Sequence, residues 1–150
     1  MKKLSIFILL SSFIGFQAFA VQEFNGSYVG SGSLVSPDQA EPEICEKVQL
    51  NISQSEQLLN LAATTICGNG DSRRITNHEI ELKIDRHFLV VGQDRVGAIS
   101  PTTIHIQTID REGKNGFTLN LSRVENHLRV EALKIKEDNV HEFSAILVKE

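Results

Sequence analysis

The five histidines are the residues best suited to metal or acid–base chemistry in this chain. They are His78, His87, His105, His127 and His141. A zinc site needs several ligands at short spacings on one element, and no pair of these histidines has that spacing. We therefore expect no metal centre and histidines that are mostly exposed. His78 differs, because alternation of apolar and polar residues places it on the inward face of a strand.

Serine and carboxylate patterns typical of enzymes are also missing. The segment 30–33 (Gly-Ser-Gly-Ser) lacks the strand-to-helix turn of a nucleophile elbow and the glycine spacing of a phosphate-binding loop. Glu79, Glu81 and Asp85 form an acidic row, but the row lies on an outward strand face and does not match a calcium-binding loop. We expect no catalytic residues, no cofactor and a protein that is not an enzyme.

Cys45 and Cys67 are the only cysteines, and in an exported protein such a pair predicts a disulfide. Two free thiols or half of a metal site are the alternatives. The closed loop would contribute about 3 kcal/mol to stability in the chain-entropy model. If Ile52 pairs with Leu59, however, the two cysteines fall on opposite faces of their strands. The bond then requires a β-bulge, or cysteines that lie just beyond the paired region.

Residues 1–20 have the three parts of a secretory signal peptide. Met-Lys-Lys is followed by an apolar run over residues 4–16 and by Ala-Phe-Ala at 18–20. A membrane anchor is the alternative, but a spanning helix needs roughly 20 apolar residues. We expect cleavage after Ala20, a periplasmic or secreted protein, and one domain over residues 21–150.

The charge of the remaining chain argues against nucleic acid as a partner. Loss of Lys2 and Lys3 leaves 13 basic residues against 19 acidic ones, a net charge of −6. Nucleic-acid binding requires a basic surface, which this composition does not favour. No second apolar run is long enough to span a membrane, so we expect no membrane span.

Apolar residues alternate with polar ones along most of the chain, which is the pattern of half-buried strands. The clearest example is residues 78–85, and turn residues recur every 8–12 positions. Only residues 54–64 also fit a helix. Near Ala132 the alternation slips, which predicts a bulge with Leu133 and Ile135 facing inward. We predict an all-β fold in which a single antiparallel meander of eight to ten strands closes into a barrel.

The stretch 24–35 opens the predicted domain and combines aromatic residues with glycines on one strand face. Gly26, Gly30 and Gly32 share that face with Tyr28. A strand of this kind bends sharply or leaves room beside it.

Segments 26–28 (Gly-Ser-Tyr) and 30–32 (Gly-Ser-Gly), at the start of an exported meander of this length, resemble the calycin-like barrels. This group includes the lipocalins, the avidins and the fatty-acid-binding type. In the lipocalin pattern the aromatic after the glycine is a tryptophan, and here it is Tyr28. The resemblance implies that this aromatic plugs one end of the barrel. It also implies that the interior holds a small ligand if side chains do not fill it.

We therefore predict a barrel that binds a small, mostly apolar molecule. Tyr28, His78, Phe88 and Phe117 are the candidate residues for lining or plugging its interior. The alternative is a non-enzymatic protein-interaction module, an inhibitor or envelope adaptor, that binds a protein partner through its loops at 36–43 and 110–116. An open interior would favour the first hypothesis, and a filled one would exclude it.

Overall fold

The computed structural model describes residues 24–137 and 139–150. The signal peptide predicted at residues 1–20 lies outside this part of the chain. Within it, the protein consists of ten strands and one short 3-10 turn (Gly70–Ser72). None of the helices in these residues is long and apolar enough to cross a membrane.

All ten strands belong to one closed antiparallel barrel. They are β1 (Gly26–Val35), β2 (Glu43–Gln54), β3 (Leu58–Cys67), β4 (Arg74–Asp85), β5 (Phe88–Val91), β6 (Asp94–Ile99), β7 (Thr103–Ile109), β8 (Asn115–Val124), β9 (His127–Lys136) and β10 (Asn139–Lys149). Each strand pairs with its neighbours in sequence, and β1 pairs with β10 to close the barrel. The predicted all-β meander barrel is confirmed. Residues 54–64 form the end of β2, a turn and the start of β3, and not a helix.

The barrel has two ends because its strands run alternately up and down. What we call the lower end contains the start of β1, the end of β10 and the turns that lead into β3, β5, β7 and β9. The upper end carries the connections into β2, β4, β6, β8 and β10. The longest of these, residues 36–42, joins β1 to β2 and matches the predicted exposed loop.

A continuous hydrophobic core lies mostly in the lower half of the interior and extends upward to the buried Cys45 and Cys67. Inward-facing side chains from most strands meet there, as period-two alternation requires. The largest of the fully buried ones are Phe24, Leu59, Leu89, Ile104, Leu121, Leu128 and Leu147. Burial of these large side chains in one cluster is the arrangement of a packed protein core.

The predicted disulfide between Cys45 and Cys67 is confirmed, and a β-bulge resolves the conflict between their faces. The Sγ atoms are 2.06 Å apart, and the two residues are direct cross-strand partners. The register of β2 shifts between Cys45 and Lys47 relative to β3. The extra residue reverses the alternation, so that Cys45 and Val48 both face inward and are buried.

The predicted bulge in β9 is absent, and this changes which residues face inward. The pairing of β9 with β8 and with β10 continues through Ala132 without a shift. Leu133 and Ile135 therefore lie on the outer face, while Lys134 and Lys136 lie on the inner face at the upper end. The sequence pattern was misleading because β9 carries apolar residues outside and lysines inside, where the interior opens to water.

The glycines of β1 allow β10 to approach closely and do not leave an empty space. A Cβ at Gly32 would lie 2.5 Å from the carbonyl oxygen of Ser144 and 2.9 Å from the Cβ of Ala145. A Cβ at Gly30 would overlap the carbonyl oxygen of Ile146. The structure does not support the predicted role of leaving room, and the glycines instead allow tight backbone packing at the seam that closes the barrel.

Candidate functional site

The upper half of the interior is lined by apolar side chains that remain partly exposed. They pack on the buried core from above, and we call them the cup. The cup consists of Leu34, Ala63, Ile80, Val96, Phe117, Ala132 and Phe143. Two of its members are alanines, which leaves more room than the leucines of the lower half do. An apolar surface that is concave and open at one end is the usual form of a small-molecule site.

Polar and charged groups surround the mouth above the cup. Lys134 is the cross-strand partner of Phe117 and shares its inner face. The ring nitrogen Nδ1 of His141 lies 3.0 Å from the hydroxyl of Ser36 on the neighbouring strand end. Glu43 and Arg74 form an ion pair beside the disulfide. Apolar walls below a polar rim can orient an amphipathic molecule, because its polar end stays near the mouth.

Tyr28 lies at the opposite end and forms part of the lower plug. Its side chain is 5% exposed, and its hydroxyl donates a hydrogen bond of 2.9 Å to the carbonyl oxygen of Phe24. Burial raises the pKa of Tyr28, and the positive charge of Arg123 opposes that shift. Phe24 is 1% exposed. Tyr28 and Phe24 therefore seal the lower end and do not line the cup.

Asn25 fixes the chain across this end. Its side-chain amide donates to the carbonyl oxygen of Gln54 at 3.1 Å, while its side-chain oxygen accepts from the Gln54 N–H. The two bonds imitate a pair of backbone ladder bonds, so the segment before β1 is held against the end of β2.

The other predicted ligand residues are divided between the two faces of the wall. Phe117 is a member of the cup. His78 lies on the inner face, opposite Ala63, and is exposed. Phe88 lies on the outer face, because its partner Asp85 faces outward and Leu89 faces inward. The Arg95 guanidinium covers the Phe88 ring at 4.0 Å from its centroid.

Sequence reasoning missed most of the cup. Phe143 offered the clearest signal, since it is one of the few aromatic residues of the domain and alternates with polar neighbours. Ala63 and Ala132 gave no usable signal, because alanine is common on both faces of strands. Whether these alanines line the cup depends on their height in the barrel, and the sequence pattern of a single strand does not reveal that height.

The barrel wall is lower on one side, and this creates a lateral opening. The hairpin formed by β5 and β6 is short and turns at residues 92–93. β4 pairs with β5 only over residues 83–85, although β3 accompanies it from Arg74 onward. β7 pairs with β6 only over residues 104–106. The upper parts of β4 and β7 therefore face each other across a gap that leads into the cup.

A second concave surface lies on the outside of the barrel, over β8, β9 and β10. It encloses about 340 Å³, and most of its lining side chains face outward. Among them are Asn120, Glu131 and Glu142. Its lining also includes apolar side chains, Val35 and Leu133 among them, and it shares Ala132 and Phe143 with the cup.

Metal-binding geometry does not occur in the residues that the structure describes. No group of three or more histidine, cysteine, aspartate or glutamate side chains in 24–137 and 139–150 could hold a metal ion. His105 illustrates the ordinary role of these histidines, since its ring nitrogen Nδ1 contacts the side-chain oxygen of Asn120 on the adjacent strand.

Comparison with known proteins finds likeness at the level of structure only. No protein-family model and no curated protein sequence matches the chain. Among solved structures, it is similar to the siderocalin Ex-FABP, described as functioning through dual ligand specificities. The identity is 11% and the TM-score 0.44, with 85% of this chain and 71% of that one covered.

A candidate outer membrane protein of Bacteroides fragilis is similar to the same degree. The identity is 10% and the TM-score 0.45, with 85% of this chain covered. This chain spans only 51% of that protein. At such TM-scores the likeness does not bear on what this chain binds.

Proposed function

We propose that the protein is an exported barrel that binds a small, mostly apolar molecule in the cup. The observation that carries the proposal is the difference in exposure along the interior. Leu147 in the lower half is fully buried, whereas Phe117 and Phe143 in the upper half are partly exposed on the same inner surface. Exposed apolar surface inside a concave wall is costly in water, and a bound apolar molecule removes that cost.

Export is supported by the disulfide. Disulfides such as the Cys45–Cys67 bond persist in oxidising compartments and are rare in the reducing cytosol. The experiment is the intact mass of protein recovered from the periplasm or medium of an expressing bacterium. A chain that begins at Val21 is the expected result, and full-length protein retained in the cytosol would contradict export.

Native mass spectrometry of the purified protein tests binding directly. The expected result is a retained small molecule that dissociates when the protein is denatured. A neutral, apolar dye such as N-phenyl-1-naphthylamine then serves as a probe for titration, with fluorescence enhancement as the readout. Absence of both a retained molecule and dye binding would contradict the proposal.

Two adjacent alanines provide a matched pair of variants. Ala63 faces the cup, while Ala62 faces outward opposite Glu79. Ala63→Phe fills the cup and should weaken dye binding at least tenfold, roughly 1.4 kcal/mol. Ala62→Phe adds the same side chain to the outside and should leave binding unchanged. Equal effects of the two substitutions would show that the dye binds elsewhere.

A further inference from the structure

The upper part of β4 is an open sheet edge. β3 pairs with β4 along its length from Arg74 to Lys83, but β5 begins to pair only at Lys83. Among the described residues, no strand lies against the other edge of β4 upstream of that point. Backbone N–H and C=O groups on such an edge can accept a further strand.

The alternation of the backbone identifies which groups face the opening. The Ile84 N–H donates to the carbonyl oxygen of Gln57 at 2.8 Å, so the backbone N–H and C=O groups of Ile84 point toward β3. Successive residues of a strand point their backbone groups to opposite edges, and the β3–β4 register has no shift. The groups directed to the opening therefore belong to alternate residues. These are Ile75, Asn77, Glu79 and Glu81.

The strand order gives the width that we expect for the opening. Above the β5–β6 turn, two strands of the ladder are missing between β4 and β7. If the strand spacing of about 4.8 Å is kept there, the gap is about 14 Å. We expect a gap of that width to admit one extended segment beside β4.

The charges along the edge of β4 determine which kind of extended segment can pair with it. Glu79 and Glu81 lie on the outer face, and their cross-strand neighbours on β3 are Ala62 and Asn60, which carry no charge. Both glutamates are exposed. Pairing of β4 with β4 of a second copy would bring these carboxylates together, which is unfavourable. A segment with lysine or arginine at alternate positions would instead place a cation opposite each carboxylate.

We propose that the upper edge of β4 binds an extended, basic segment of a partner protein as an additional strand. Backbone hydrogen bonds to the edge supply the affinity, and the pairing of basic side chains with Glu79 and Glu81 selects the segment. Its alternate side chains face the cup beside His78 and Ile80, where small or apolar groups fit. The partner thus completes the wall at the lateral opening.

Amide exchange measured by NMR is the first test, with a synthetic eight-residue peptide of alternating lysine and valine as the probe. In the free protein, the amides of Asn77 and Glu79 should exchange at least tenfold faster than those of Thr76 and His78. Addition of the peptide should slow the two edge amides. Equal protection in the free protein, or peptide-induced changes confined to another surface, would overturn the proposal.

Asn77 offers a matched pair of variants. Asn77→Pro removes an N–H directed to the opening, and proline is tolerated on such an edge. Asn77→Ala keeps this N–H, while both substitutions remove the 2.8 Å hydrogen bond from the Thr64 hydroxyl. The proline variant should weaken peptide binding at least tenfold, and the alanine variant less than twofold. Equal affinities would overturn the proposal.

Charge reversal tests the selectivity without a change of backbone. The double variant Glu79→Lys/Glu81→Lys should lose affinity for the lysine–valine peptide and gain affinity for a glutamate–valine peptide. Unchanged preference, or a concentration-dependent dimer that occupies the edge in sedimentation experiments, would overturn the proposal. Binding of the apolar dye in the cup should be unchanged by Asn77→Pro, so failure of this proposal is distinguishable from failure of the proposed function.

Discussion

The lower and upper halves of the barrel share the same strands but have different interiors. Below, leucine and isoleucine side chains from all sides exclude water, and Phe24 and Tyr28 close the end. Above, the same strands carry alanine, threonine and partly exposed phenylalanine, and the wall is open between β4 and β7. Residues that form the buried core and residues that line the cup are therefore largely separated by height in the barrel.

The comparison predicts the largest difference for a pair of leucines on adjacent strands. Leu147→Ala removes a fully buried side chain from the lower core and should lower the free energy of unfolding by about 3 kcal/mol. Leu34→Ala acts on a partly exposed side chain in the cup and should cost about 1 kcal/mol. Urea-induced unfolding measures both. Similar losses would show that the upper half is as tightly packed as the lower one.

The disulfide should make a contribution of similar size, and it lies in the upper half. Removing it in the double variant Cys45→Ala/Cys67→Ala should lower the free energy of unfolding by about 3 kcal/mol. The covalent link joins β2 to β3 in the half of the barrel where the cup side chains stay partly exposed. Unfolding of the wild type with and without a reducing agent provides the control, and no difference between these conditions would contradict the prediction.

A substitution at Tyr28 tests the closure of the lower end of the barrel by Tyr28 and Phe24. Tyr28→Phe deletes the hydrogen bond to the Phe24 carbonyl and should cost about 1 kcal/mol at neutral pH. Because burial raises the pKa of Tyr28, the folded state favours the neutral phenol. Its contribution is complete below the ordinary pKa of about 10 and is lost as the pH rises through the raised value.

Tyr28 is the single tyrosine and the chain has no tryptophan, so tyrosinate absorbance reports this residue alone. The titration midpoint of the folded protein should lie above that of the urea-unfolded chain. A midpoint at or below the unfolded value would indicate that the lower end is open to water.

The smallest effect is expected in the upper loop between β7 and β8. The carboxylate of Asp110 accepts hydrogen bonds from the Asn115 side chain and from the backbone N–H groups of Asn115 and Lys114. These bonds lower the pKa of Asp110, the side-chain bond of Asn115 most strongly. The loop should therefore lose this stabilisation only as the pH falls through the lowered value.

Carboxyl chemical shifts measured by NMR test this loop. Asn115→Ala should raise the pKa of Asp110 toward its ordinary value, while a substitution at the neighbouring Glu112 should not. An Asp110 pKa that is already ordinary in the wild type would show that the loop is not ordered by its aspartate.

The strand pattern of the barrel was predictable because period-two alternation survives wherever one face is buried and the other is wet. Residues 78–85 show this well, with Leu82 and Ile84 buried and their neighbours exposed. The need for a bulge near the cysteines was also predictable, since regular alternation along the two paired strands would place Cys45 and Cys67 on opposite faces. Its location next to Cys45 followed only from the register of β2 with both neighbours.

The candidate site was less predictable, because its residues come from many strands at one height. Phe88 was expected inside, but the run from His87 to Val91 is apolar on both faces, and the β4–β5 turn decides which side faces in. Lys134 was expected outside, because a lysine on an inner face contradicts the usual pattern. It is tolerated there only since the barrel is open at that level.

The sequence by itself determined the all-β class, the succession of strands and the pairing of its two cysteines. These depend on local alternation and on the number of cysteines. The tertiary structure decided that the glycines of β1 admit β10 instead of a ligand, that the cup lies in the upper half, and that β4 has an open edge. Each of these depends on how far neighbouring strands extend, and a single strand's residues do not contain that information.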